Sequence, residues 1–439
     1  MRAAGSLAAA VGVAAVFTAA VLPGVAWAAD EVPYAFDGGG IRVKGAASSL
    51  DARQLKAGQS YRDSIEKDGK LYYRVDLDDK QNAYVSVVAV PKAGGKPEYG
   101  DGIKVSLQDG SGSQCGTQVT LFESAYFTRP ITAYAHRTIE AGSSTCQQAG
   151  AYYVLVERTS KAVSTPEDWE MEIRYVTEPG VKQTGPTELP ENWPSSSPPP
   201  PAGGPQTRQG GAGFHDATSL TQGEWRTDIK PGQTLFYRVP VDWGQQLFAT
   251  VELGSSPTGV TEYLSNALVL SLANPARGHV DQETVTYAGK PATLALDPLR
   301  PVAFENRYSS SRQTNPLRFA GWYYLSATLS PEVVEEYGDK PMPLTLRVNV
   351  TGTAKAGPAY DGDAGPFKVT DDDRDAAASG ASGPQAGRSD SMALVAAAGI
   401  GAGTVLVVGL GVWTLAGRRR AARDAPQDGP PQFGPPTAW

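Results

Sequence analysis

The residues able to carry chemistry are few. The 439-residue chain has three histidines, His136, His215 and His279. None belongs to an H-E-x-x-H pair, which would put two metal ligands and a general base on one helix face, so a zincin-type centre has no support. No G-x-S-x-G elbow presents a serine for acyl transfer, and no glycine-rich loop stands between a strand and a helix to cradle phosphate. A Ser–His–Asp triad assembled only in three dimensions stays open, and with it the alternative of an extracellular hydrolase. Acidic pairs such as Asp78-Asp79 follow a strand-like run, where turn propensity and solubility account for them more simply than acid–base catalysis. Asp361, Asp363 and Asp371-Asp372-Asp373 offer hard oxygen ligands of the kind Ca²⁺ takes, but no loop has full EF-hand spacing. A solvated acidic stalk is the expected role, and neither a metal site nor a cofactor is predicted.

The two cysteines, Cys115 and Cys146, form an even pair, which in an exported chain predicts one disulfide. It would enclose about 30 residues and stabilise by about 3–4 kcal/mol on a loop-entropy argument. The enclosed segment holds Phe122, Tyr126, Phe127, Tyr134 and His136 and reads as an extended, aromatic-rich insertion. A long counterpart without cysteine, roughly 274–319, carries Tyr287, Phe304, Tyr308 and Arg312. Long loops on a sandwich are often functional, and exposed aromatics and arginines are common anchors of protein or glycan contacts. Phe122, Tyr126, Phe127, Tyr134, Tyr308 and Arg312 are therefore the candidate binding residues. The same aromatics would equally serve to close the end of a sandwich.

The elements that must position these residues come from patterning. Lys and Arg number 39 against 46 Asp and Glu, a net charge of −7, which argues against a nucleic-acid surface. Residues 1–28 combine Arg2, an apolar run, Pro23-Gly24 and Ala26-Trp27-Ala28, the features of a cleaved signal peptide. Residues 392–416 run uncharged for about 25 positions, enough to cross a hydrocarbon core of about 30 Å. Arg418, Arg419, Arg420 and Arg423 follow directly, with Trp413 near that edge. The positive flank belongs inside, so the expected topology is single-pass, with residues 29–391 outside the cell membrane and the C-terminus cytoplasmic. Gly399-x-x-x-Gly403 would allow a helix-mediated homodimer, although glycine and alanine are common in such helices anyway. The proline-rich tail 417–439 and the stalk 353–391 read as disordered.

Between these ends, Pro198 to Pro201 lie in a Pro/Gly-rich stretch at 181–213 that reads as a spacer between two parts, 29–180 and 214–352. The parts resemble each other. Leu71-Tyr72-Tyr73-Arg74-Val75 corresponds to Leu235-Phe236-Tyr237-Arg238-Val239, an offset of 164. Gly150-Ala151-Tyr152-Tyr153-Val154 corresponds to Gly321-Trp322-Tyr323-Tyr324-Leu325, and further blocks match in order. Each block alternates apolar and polar residues with period two, and turn signals such as Asp68-Gly69 and Pro231-Gly232 separate them. The expected fold is all-β: two tandem antiparallel β-sandwiches of jelly-roll type plus one C-terminal transmembrane helix.

The opening Tyr73-Arg74-Val75, the turn near Gln81, the Gly150-Ala151-Tyr152-Tyr153-Val154 strand and the closing Glu172-Ile173-Arg174-Tyr175-Val176 strand, each repeated in the second half, resemble the bacterial pre-peptidase C-terminal domain. The resemblance implies a non-catalytic sandwich appended to secreted proteins, some of which bind extracellular polymers or Ca²⁺. The family's acidic central strand is replaced here by Gly102-Ile103-Lys104-Val105-Ser106-Leu107, leaving only Asp101 nearby, so no metal site carries over. The function expected is that of a membrane-anchored extracytoplasmic binding protein, whose partner is a cell-wall polymer or an envelope protein. A subunit of an envelope secretion or signalling complex is the alternative.

Overall fold

The computed structural model describes residues 34–386 apart from Ala141, Thr184 and Pro257. The expected signal peptide, the membrane helix 392–416 with its Gly399/Gly403 pattern, the flanking Arg418, Arg419, Arg420 and Arg423, and the tail lie outside the described residues. Among the described residues no helix is long and apolar enough to cross a membrane.

The chain from 41 to 178 forms ten strands: β1 (Ile41–Arg42), β2 (Arg53–Gln54), β3 (Ser60–Ile65), β4 (Lys70–Leu77), β5 (Asn82–Val90), β6 (Gly102–Gln108), β7 (Gln114–Leu121), β8 (Ile131–Arg137), β9 (Gly150–Thr159) and β10 (Trp169–Glu178). They make two five-stranded sheets, β1-β3-β10-β5-β8 and β2-β4-β9-β6-β7. The short β1 and β2 join in parallel, and the other pairings are antiparallel. The eight longer strands follow the order of a double-sheet jelly roll.

Ten more strands follow: β11 (Pro205–Thr207), β12 (Thr218–Ser219), β13 (Gly223–Ile229), β14 (Thr234–Val241), β15 (Gln246–Leu253), β16 (Leu264–Ala273), β17 (His279–Tyr287), β18 (Ala292–Ala295), β19 (Gly321–Leu329) and β20 (Met342–Thr351). Their sheets, β11-β13-β20-β15-β18 and β12-β14-β19-β16-β17, repeat the first order with every number raised by ten. The matched sequence blocks are therefore matched strands. Tyr73 faces Val154 as Tyr237 faces Leu325, and Leu77 faces Gly150 as Val241 faces Gly321.

Period-two patterning places the cores. In β4, Tyr73, Val75 and Leu77 turn inward while Arg74 and Asp76 stay in solvent. They meet Val105, Leu107, Val154, Val156, Met171 and Ile173. β5 behaves differently: Asn82 to Ala89 are buried on both faces. Ala83, Val85, Val87 and Ala89 face the first core, whereas Tyr84 and Val88 face the second sandwich. β16 does the same, with Leu268, Leu270 and Leu272 in its own core and Val269 and Ala273 turned toward the first sandwich. The sheet of β10, β5 and β8 thus packs face to face on the sheet of β14, β19 and β16, and the four sheets stack in layers.

This differs from two expectations. The stretch 181–213 does not hold the sandwiches apart. It lies along the second one, with β11 paired to β13, the Pro194 carbonyl accepting from Gln246 Nε2 at 2.8 Å, and Trp193 beneath the Arg300 guanidinium. Nor is the described part of 353–391 a solvated stalk. Asp361 N–H donates to the Gly180 carbonyl at 2.7 Å. Phe367 is fully buried, stacked on Phe319 at 4.5 Å and edge-on to Tyr84. Asp371, Asp372 and Asp373 open a helix running to Ser379, which follows the single turn α1 (Val333–Tyr337) and is labelled α2. Carboxylates in a first helical turn are stabilised by the helix dipole, and Asp373 completes a capping box with Thr370 while accepting from Trp322 Nε1 at 2.7 Å. Low overall hydropathy masked one aromatic anchor and one good N-cap.

Candidate binding groove between the sandwiches

The groove begins with two edge strands. β7 ends the sheet β2-β4-β9-β6-β7 of the first sandwich, and β17 ends the sheet β12-β14-β19-β16-β17 of the second. Gln118 of β7 joins them. Its Oε1 accepts from the backbone N–H groups of Tyr134 and His279, both at 3.1 Å, and its Nε2 donates to the His279 carbonyl at 2.9 Å. Close by, Gly278 lies against the Tyr134 ring. A Cβ there would clash with the ring, so only glycine lets β8 and the start of β17 approach this closely.

Beside this bridge opens a groove of about 520 Å³, walled by β7 from Thr117 to Leu121, β17 from His279 to Gln282, and the loop 309–316. The Cys115–Cys146 disulfide, with Cα atoms 5.6 Å apart, ties the start of β7 to the segment before β9. The predicted pairing is thus present, and it fixes one wall of the groove. The segment it encloses is no insertion: β7 and β8 are integral strands of the two sheets.

His136 lies on β8 and His279 opens β17. Burial, then the nearby Arg318 and Arg307 charges, push His136 down to about 3. Burial, then Arg129, pushes His279 down to about 4. Both rings are therefore neutral at physiological pH. The His136 ring stacks on Tyr134 at 5.5 Å, and its Nδ1 has no hydrogen-bond partner among the described residues. Asp281 is the most constrained polar group of the wall. It is 9% exposed, and its Oδ1 accepts from Gln313 Nε2 at 3.0 Å. Burial, with the Asp297 charge, raises its carboxyl above the usual carboxylate range, against hydrogen bonds from Gln313 and from the Gln282 and Asp297 backbones. Glu283 is raised likewise, by burial and then by Asp281 and Asp297.

The sequence candidates divide. Arg312 is exposed and lines the groove. Tyr134 reaches its wall but is 2% exposed, committed to packing between the sandwiches. Phe122 is fully buried in the first core, edge-on to Trp169 and beneath Arg129. Phe127 is 7% exposed and packs on Val269. Neither Phe122 nor Phe127 is available to a ligand, because the short 122–130 connection turns these two rings inward between its flanking strands. Tyr126 and Tyr308 are exposed but do not line the groove. Asp101 is fully buried and braces its loop, accepting from the N–H groups of Glu98 and Lys161. Gln118, Asp281 and Gln313 escaped sequence reasoning. They are isolated polar residues in strands or loops, and only the packing of two sandwiches brings them together.

A second cleft, about 960 Å³, lies where Leu189 and Trp193 meet Trp243, Arg300 and Phe304. There Arg300 Nη1 donates to the Pro190 carbonyl at 2.7 Å. The groove, where Gln118 bridges the two sandwiches and Arg312 stands exposed, is the candidate site for a polar ligand. Among the described residues no group of three or more His, Cys, Asp or Glu is arranged to hold a metal ion.

No family model matches the sequence, and no match is found among curated proteins. Solved structures with some likeness include Broad bean stain virus, at 11% identity over 75% of this chain and 96% of that one with a TM-score of 0.19. Tripeptidyl peptidase 2 is 6% identical over 67% of this chain and 24% of that one, TM-score 0.20. The tandem CBM22-1–CBM22-2 domain of Paenibacillus barcinonensis Xyn10C is 13% identical over 73% and 94%, TM-score 0.18. Likeness at this level carries no argument about activity or ligand.

Proposed function

We propose that the chain is a non-catalytic extracytoplasmic binding protein, held at the cell membrane by residues 392–416, that takes a cell-wall polymer or an envelope protein in the groove between its two sandwiches. On this reading the sandwiches are modules of the pre-peptidase C-terminal type, and the C-terminus is cytoplasmic. One observation carries the proposal: a groove of about 520 Å³, built where two edge strands meet, walled by Thr117, Gln118, His279 and Gln282 with the exposed Arg312 beside them. A cleft lined by a few polar side chains where two modules meet is a common place for a ligand. The disulfide supports an oxidising compartment.

The test is capture by the full chain from solubilised envelope and from purified wall. Retention of a wall polymer or of one stoichiometric envelope protein, lost when Arg312 is replaced, is the expected result. A wild-type chain that retains nothing from either source overturns the reading.

A further inference from the structure

The chain beyond the second sandwich is fastened almost to the point where the uncharged run 392–416 begins. After α2, the Ala381 carbonyl accepts from the Ser219 hydroxyl, and Ser382 pairs with Thr218 of β12. Gly383 lies against the His215 carbonyl, where a side chain would clash. The Ala386 N–H donates to the Ser382 carbonyl at 2.9 Å. Upstream, the Phe367 stack on Phe319 and the capped start of α2 take the slack out of the strap. Only residues 387–391 then separate the folded body from 392–416. Fully extended they span about 20 Å, and less in any other conformation.

This tether leaves from one edge of the stacked sheets. β12 ends the sheet β12-β14-β19-β16-β17, and β1 ends β1-β3-β10-β5-β8. His215, just before β12, brings its Nδ1 within 3.6 Å of Asp37 Oδ1, just before β1, so these two edges lie side by side. The opposite edges of the same sheets are β17 and β8. There Gln118 hydrogen-bonds to the backbones of Tyr134 in β8 and His279 in β17, and there the groove opens. Neighbouring strands are about 4.8 Å apart, so the four gaps of a five-stranded sheet put about 19 Å between tether and groove.

We infer that the short tether turns the β1 and β12 edges to the bilayer, so that the groove opens away from the membrane and takes its ligand from the wall side. The inference rests on the reading of 392–416 as a membrane span. A body turned over, with its groove on the headgroups, would use the whole reach of residues 387–391 merely to pass the width of the sheets. With the tethered edge down, the same residues need no such detour. A lipid or a partner buried in the bilayer is then out of reach of the groove, whereas a polymer or a protein surface farther out meets it directly.

Ile41 of β1 and Val119 of β7 are both exposed and lie at opposite edges of the first sandwich. The two native cysteines are paired, so Ile41→Cys and Val119→Cys each add one site for a donor dye. The full chain labelled at either site is reconstituted into phosphatidylcholine–phosphatidylglycerol vesicles holding a headgroup-labelled acceptor lipid. The dyes are chosen so that their transfer distance is close to the width of the sheets. Transfer several-fold greater from Ile41 than from Val119 is expected, and insertion of about twenty Gly/Ser residues after Ala386 should erase most of the difference. Equal transfer from the two sites, greater transfer from Val119, or a difference that survives the insertion overturns the inference. The membrane reading fails separately, when the chain does not float with the vesicles.

Discussion

Arg277, at the turn into β17, extends its guanidinium from the second sandwich into the first, where the Glu172 carboxylate of β10 accepts from it with neither side chain more than 1% exposed. Glu172 also accepts from the Asp37 N–H at 2.9 Å, and the Arg277 carbonyl accepts from Thr132. A second pair, Arg307 to Glu178 at 2.8 Å, lies along the same interface, with Asn82, Tyr84 and Tyr360 all donating to Glu178. Removing one partner of such a buried pair leaves an uncompensated charge and costs about 3–5 kcal/mol, far more than the net worth of the intact pair. Arg277→Ala should therefore lose about that much in urea unfolding. The double variant Glu172→Leu with Arg277→Met should recover most of it. If the single variant unfolds like wild type, the two sandwiches are not joined through this pair.

The disulfide gives a second expectation. Its ends are 31 residues apart, and a cross-link of that span stabilises by about 3–4 kcal/mol through the unfolded state. Cys115→Ser with Cys146→Ser should lower the unfolding free energy by that order. Because the bond anchors β7, the same variant should weaken ligand capture before it unfolds. Stability loss without any change in capture at low temperature would show that β7 needs no anchor to hold its groove wall.

How much of this was legible beforehand depends on distance in the chain. Lys70 to Val75 and Ile103 to Leu107 showed their strands by alternation, and the 164-residue offset showed two copies of one topology, because both signals are local or repeated. The interface is neither. Glu172 and Arg277 are 105 residues apart, and a charged residue within a strand looks solvent-facing until a second sheet covers it. β5 was the one hint: Ala83 to Ala89 has too little polar character for a strand with one face in water. For Phe122 and Tyr134 the sequence left two roles open, because aromatic content alone does not distinguish a binding loop from strands closing a core.

The C-terminal strap makes a third prediction. Phe367, fully buried between Phe319 and Tyr84, fastens residues 355–386 across both sandwiches. Phe367→Ala should cost about 3–5 kcal/mol, as large-to-small changes at aromatic core positions do. It should also open the strap selectively, seen as faster hydrogen exchange and proteolysis in 355–386 while β4 and β14 stay protected. Uniform loss of protection throughout would mean that the strap and the sandwiches unfold as one unit.

Acid should weaken the fold in a way set by the histidines. In the unfolded chain His136 and His279 take up protons as pH falls below about 6.5. In the folded chain they stay neutral down to about 3 and about 4. The unfolded state then binds more protons, so stability drops as pH falls from the ordinary histidine range toward the depressed folded values. Asp281 and Glu283 act in the opposite sense, because their carboxyls are raised and protonation relieves a cost present at neutral pH. At lower pH Glu178 adds to the loss. Burial pushes its carboxyl up, but Arg307 and the hydrogen bonds to it win and hold it below its usual value, so the stability it contributes disappears as it finally protonates. Urea midpoints between pH 7 and pH 4 should therefore fall in the wild type, fall less in His279→Gln, and fall more steeply in Asp281→Asn. A His279→Gln profile parallel to that of the wild type would remove His279 as a source of the acid sensitivity.

The last prediction separates the groove from the other exposed residues. Arg312 lines the groove and is solvent-exposed, whereas Tyr126, 49% exposed, lies outside it. Neither makes an ion pair among the described residues, so replacing either with alanine should change stability by only about 0.5 kcal/mol or less. Their effects on binding should diverge. Arg312→Ala should reduce capture by about tenfold if the guanidinium holds an anionic group of the ligand, a loss in the range of one charge-assisted hydrogen bond. Tyr126→Ala should leave capture as it was. Gln118→Ala should behave as a third kind of variant: it strips three hydrogen bonds from the bridge between β7, Tyr134 and His279. It should therefore lose both capture and about 1–3 kcal/mol of stability, since the His279 and Tyr134 N–H groups are left without that acceptor. Measured side by side on the full chain, equal losses of capture for Tyr126→Ala and Arg312→Ala would move the ligand from the groove to the wider loop surface. Loss confined to Arg312→Ala and Gln118→Ala would keep it between the two edge strands.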